Sequence, residues 1–87
     1  MQPVPHELYS LTLSPAQCRA ARGLLDWSQE QLAQASGLSR STVRDFESGR
    51  HEPHRGSLVL LLQTLAEQGV ELVAAVDGAG EGVRFRV

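Results

Sequence analysis

The chain has 87 residues, room for one domain, and a domain of this size buries only somewhat more than ~60% of the surface its unfolded chain exposes, which excludes a deep cleft between two lobes. Apolar residues make up 41% and aromatics 5%, so leucine and valine must build the core, and no stretch approaches the ~18 apolar residues of a membrane span. Eight arginines, no lysine and ten acids give a formal charge of −2, which excludes bulk attraction to polyanions as the main source of any nucleic-acid affinity.

Residues 1–13 read as an arm, because Pro3 and Pro5 block helix and Leu8 to Leu13 alternate in a weakly strand-like way. This stretch has neither the basic start nor the long apolar run of a secretory leader, so a soluble, cytoplasmic protein is expected. From Ser14 a helix-start grammar occurs three times, with an apolar residue, a serine cap, and a second apolar residue five positions after the first. Ser14 caps the first helix, with Pro15 at its first position, Gln17 completing a capping box and Leu13 stapling to Cys18. Ser28 caps the second, with Gln31 as box partner and Trp27 stapling to Leu32. Ser39 caps the third, with Leu38 stapling to Val43, although Thr42 is a poor box partner.

Gly37, between the second and third helices, supplies the positive φ that ends a helix within one residue. After the third helix a polar loop spans residues 49–56. Ser57 is the next candidate cap, and Leu58, Leu61, Leu62 and Leu65 then share one face of a fourth helix that stops at Gly69. Val59 and Leu60 are left for a partner. Residues 70–76 and 83–87 are β-rich around Asp77 to Gly82 and predict a hairpin, which is marginal alone and must pack on the fourth helix or join a second copy.

Other chemistry is poorly supported. Cys18, the one cysteine, has no disulfide partner and reads as a small buried hydrophobe. His51 and His54 lack the second clustered pair of a zinc site, and Gly78, Gly80 and Gly82 are turn glycines with no Lys-Ser/Thr after them. No nucleophile–base pair is present, so neither catalysis nor a cofactor or metal is expected.

The stretch from Gln29 to Ser48, QEQLAQASGLSRSTVRDFES, is the most informative. Ala33 faces a sharp helix crossing where a larger side chain would push the helices apart, and Gly37 makes the turn. Leu32, Val43 and Phe46 point inward and lock the third helix across the second, leaving Arg40, Ser41, Arg44 and Asp45 outside.

Arg22, Trp27-Ser28-Gln29, Leu32-Ala33, Gly37, Ser39, Val43 and Phe46-Glu47-Ser48-Gly49 together resemble the Cro and phage-repressor, or Xre, family of helix-turn-helix DNA-binding domains over roughly residues 13–65. The resemblance implies a mainly α, lambda-repressor-like bundle of four or five short helices, here with a C-terminal β-hairpin. With the residue patterns on either side of it, the chain divides into an arm (1–13), a helix-turn-helix domain (14–69) and the hairpin (70–87). The resemblance implies that Gln29 meets a DNA phosphate at the positive end of its helix, and that Arg40, Ser41, Arg44 and Asp45 face base edges in the major groove. Ser39 and Thr42 join that DNA-facing set, Arg50 touches the flanking backbone, and Arg22 with Glu47 forms a fold-holding ion pair. Two residues depart from the family pattern. Asp45 is acidic on a face meant for DNA, where it can accept from a cytosine or hold a neighbouring arginine, and Asp26 stands where relatives commonly have glycine.

The expected function is a sequence-specific regulator that binds double-stranded DNA as a homodimer, reading two half-sites ~34 Å apart, with the hairpin as the candidate dimer contact. The alternative is an antitoxin or adaptor that binds a partner protein, a toxin, and regulates its own expression. The acidic, apolar C-terminal third and the N-terminal arm motivate that alternative.

Overall fold

The computed structural model describes residues 13–50 and 52–86. Among them are four helices, α1 (Pro15–Leu25), α2 (Gln29–Ser36), α3 (Arg40–Ser48) and α4 (Arg55–Glu67), followed by the antiparallel strands β1 (Val70–Val73) and β2 (Gly82–Phe85). This is the lambda-repressor-like architecture with a C-terminal hairpin that the sequence predicts. The expected arm lies outside the described residues except for Leu13, which is 5% exposed and part of the core. No helix among the described residues is long and apolar enough to cross a membrane.

The three serine caps form as written in the sequence. The Ser14 hydroxyl accepts from the Gln17 amide at 3.0 Å while the Gln17 side chain accepts from the Ser14 amide at 3.0 Å. Ser28 and Gln31 repeat the exchange at 3.1 and 2.8 Å. At Ser39 only the first half exists: its hydroxyl accepts from the Thr42 amide at 3.1 Å, and the short Thr42 side chain meets the cap hydroxyl at 2.8 Å.

The helix ends share a grammar too. Asp26, Gly37 and Gly49 take left-handed backbone at φ 57°, 80° and 71°. The next residue then donates back five positions, from Trp27 to Arg22 (2.9 Å), Leu38 to Ala33 (3.0 Å) and Arg50 to Asp45 (3.2 Å), which closes one orphan carbonyl at each helix end. Trp27 and Leu38 thus finish one helix, serve as the apolar residue before the next cap, and pack on the core. Asp26 is the strained member of the three. Asp26→Gly is expected to stabilise the fold by roughly 0.5–1 kcal/mol by relieving a side chain in left-handed backbone. Thermal melts would register this as a rise of a few degrees, and a fall would mean that the Asp26 carboxylate contributes more than its backbone costs.

Around this scaffold one core gathers Leu13, Cys18, Ala21, Leu32, Ala33, Val43, Phe46, Leu58, Leu61, Leu62, Leu65 and Val70. The leucine stripe of α4 is buried as expected, but the helix does not start at Ser57. It starts at Arg55, with His54 in the cap position and no side-chain cap bond. His54 is extended, its carbonyl accepts from Leu58 at 3.1 Å, and packing of the leucines then stabilises a first turn that has no cap of its own.

The hairpin keeps one register from Val70 opposite Phe85, through Val73 opposite Gly82, to Val76 opposite Ala79. Asp77 and Gly78, at φ 49° and 82°, form the type I′ turn whose twist suits a two-residue hairpin. Val70 is buried, and Leu72 and Val83 are partly buried against the core. β1 lies on α4, as one of the sequence-based alternatives has it, but β2 lies on α1, which that reading does not include. The joint is Gln17. Its amide nitrogen, beyond the capping box, donates to the carbonyls of Gly82 (3.1 Å) and Val73 (3.4 Å).

Candidate nucleic-acid interface

α3 carries nine residues, and burial divides them by helical face. Val43, Phe46 and Glu47 are buried, while Arg40, Ser41, Arg44 and Ser48 are exposed. The exposed set falls at i, i+1, i+4 and i+8, one stripe along the helix. Thr42 and Asp45 are half-buried beside it, and both line a cavity of about 230 Å³ with Phe46, Glu52, Pro53 and His54. The Asp45 carboxylate lies 3.6 Å from the Arg44 guanidinium, and with the two side chains 32% and 55% exposed this loose pair orients Arg44 more than it stabilises the fold. Ser39 is exposed at the start of the helix and Arg50 just beyond its end.

Behind this stripe, Glu47 is the hub that fixes α3. Its side chain is 2% exposed and is gripped by Arg22 through two 2.7 Å bonds, one to each carboxylate oxygen. A third N–H of Arg22 donates to the Trp27 carbonyl at 3.0 Å, so the same guanidinium ties α1, the α1–α2 joint and α3. The Arg22–Glu47 pair is the one the sequence leads to expect. The sequence reading misses three further donors. The Cys18 thiol donates to Glu47 Oε2 at 3.2 Å, the Gln29 amide donates to Oε1 at 3.1 Å, and Arg19 donates to the Glu47 main-chain carbonyl. The available signal was spacing, since Cys18 and Arg22 lie at i and i+4, and Arg19 and Arg22 at i and i+3, on adjoining strips of α1.

Burial alone would raise the Glu47 pKa, but the hydrogen bonds from Arg22, Gln29 and Cys18, with the Arg22 charge, outweigh it and hold the carboxyl below the usual glutamate range. The same hydrogen bond raises Arg22. Burial first, then the neighbouring Glu47, pushes the Cys18 thiol far above the ordinary thiol range, so this cysteine is an inert packing group that also donates to the hub. Ala33 is 3% exposed, beneath the α2–α3 joint. Gln29, at the first position of α2, spends one amide hydrogen on Glu47 and keeps the other. Among the described residues no three His, Cys, Asp or Glu side chains gather to hold a metal ion; His51 lies outside them.

Two capped helices set across each other by a three-residue joint, with an arginine-bearing stripe facing outward, form a nucleic-acid-reading geometry. A comparison with curated proteins finds no match. The pattern that defines the Helix-turn-helix family matches residues 19–72, from α1 through β1 and more than half of the chain. The chain therefore belongs to the helix-turn-helix family of Xre and Cro type, whose members are DNA-binding domains.

Proposed function

We propose that this protein is a cytoplasmic, sequence-specific transcriptional regulator that binds double-stranded DNA as a homodimer with α3 in the major groove. The observation that carries the reading is the outward stripe of α3, where Arg40, Ser41 and Arg44 are exposed on a helix whose opposite face is locked into the core. Arg40 and Arg44 are the groups that read guanine, each able to give two parallel hydrogen bonds to its O6 and N7. Ser39, Ser41 and Thr42 offer hydroxyls at the end of α3 that enters the groove, and Asp45 accepts from a cytosine amino group or steers Arg44. The second amide hydrogen of Gln29, the free backbone amides at the start of α2, and Arg50 meet phosphates. With a net charge of −2, affinity rests on these few contacts and on pairing of two chains.

Dimerisation through the hairpin is supported by Phe85 and Val76, large apolar side chains left 46% and 61% exposed on an element that offers free strand edges. Binding to duplexes selected from a random pool, followed by fluorescence anisotropy at two salt concentrations, tests the DNA reading. Arg40→Ala and Arg44→Ala should each weaken the selected site by about 1–3 kcal/mol, roughly 5- to 150-fold, with the fold intact by circular dichroism. If both variants bind like the parent chain, α3 is not the reading element.

A further inference from the structure

The reading helix ends in a way its own sequence does not complete. A helix C-terminus carries partial negative charge and favours a cation, yet the last turn of α3 contains no basic residue and holds Asp45 and Glu47. The backbone amides of Gly49 and Arg50 reach the carbonyls of Phe46 (3.1 Å) and Asp45 (3.2 Å). The Glu47 carbonyl is instead taken by the guanidinium of Arg19, which comes from α1 and stays exposed. One turn along α1, Arg22 holds the carboxylate of the same residue. Two arginines of α1 thus grip a single residue of α3, one by its main chain and one by its side chain.

We infer that Arg19 is a positioning residue for DNA recognition, capping α3 from α1 and holding in place the end of the helix that Arg44 and Arg50 flank. The inference rests on the reading of α3 given above. It acts through geometry: a loosened last turn lets Arg44 and the backbone of Gly49 and Arg50 drift relative to Arg40, and bidentate contacts tolerate little drift. A phosphate contact by Arg19 itself would leave a different signature, because losing one such contact lowers the salt slope by about 1 and weakens all sequences alike.

The experiment uses the full chain with Arg19→Ala and Arg19→Lys. In free protein, amide hydrogen exchange at Gly49 and Arg50 should accelerate roughly 5- to 30-fold in Arg19→Ala, the loss of a charged hydrogen bond at a helix end, while α2 amides stay as they are. Affinity for the selected duplex should fall by a similar factor. Affinity for unrelated duplex and the salt slope should hold, and Arg19→Lys should recover most of both losses. Unchanged exchange overturns the cap. Faster exchange with unchanged specific affinity, or a uniform loss with a lower salt slope, overturns the positioning role. A parent chain that enriches no sequence overturns the reading beneath it, and exchange, measured without DNA, tells that failure from failure of the cap.

Discussion

Arg22→Ala is expected to destabilise the protein by about 3–5 kcal/mol, because it leaves the Glu47 carboxylate, 2% exposed, without its cation in the middle of three helices. Domains of this size are stable by only ~5–15 kcal/mol, so the loss should lower Tm by on the order of 15–30 °C. Gln29 and Cys18 still donate to the carboxylate, but neither carries charge. The effect has a pH signature. In the parent chain Glu47 titrates below its unfolded value, so its contribution is present above that unfolded value, ~4.3, and is lost as pH falls through the lower folded one. Without Arg22, burial dominates and raises the folded value, so protonation relieves the variant while it weakens the parent. Urea melts at pH 7 and pH 4 should therefore show the gap between them narrowing with acid. Equal stabilities at pH 7 would mean that the hub does not hold α3.

Ending the chain after Gly69 is expected to cost roughly 3–5 kcal/mol, since it strips Val70 and the half-buried Leu72 and Val83 from the core. It also removes the two carbonyls that receive the Gln17 amide. The hairpin is part of the packing of α1 and α4, so a truncated chain that is monomeric by light scattering would show lost stability as readily as a lost interface. Phe85→Asp separates the two. Phe85 is 46% exposed, so the charge should leave Tm within a few degrees while converting dimer to monomer. A Phe85→Asp chain that remains dimeric would move the proposed interface off the hairpin.

The contrast between these two elements marks what could be read from the chain alone. Ser14, Ser28 and Ser39 announce their helices because a cap is satisfied within three residues, whereas the special backbone at Asp26 is signalled only by the glycine that the resembled family commonly has there. The Arg22–Glu47 pair was legible only through family resemblance. Gln17 was half legible: its capping role is local, whereas its bonds to Val73 and Gly82 span 56 and 65 residues, and no spacing rule reaches that far. The start of α4 is not legible, because a serine in the right context outranks His54 by propensity and only the leucine packing decides otherwise. Arg19 carries no signal in the sequence, because its partner is a main-chain carbonyl and every residue has one.

Trp27 and Leu38, each closing one helix and seating the next, leave the joints they occupy no slack. A single residue inserted between Gly37 and Ser39 would part the left-handed turn from the Ser39 cap, so that Leu38 could no longer both donate to Ala33 and seat the start of α3 on the core. These joints do not accept a change of length. Insertion scanning would therefore draw narrow forbidden zones at residues 26–28 and 37–39.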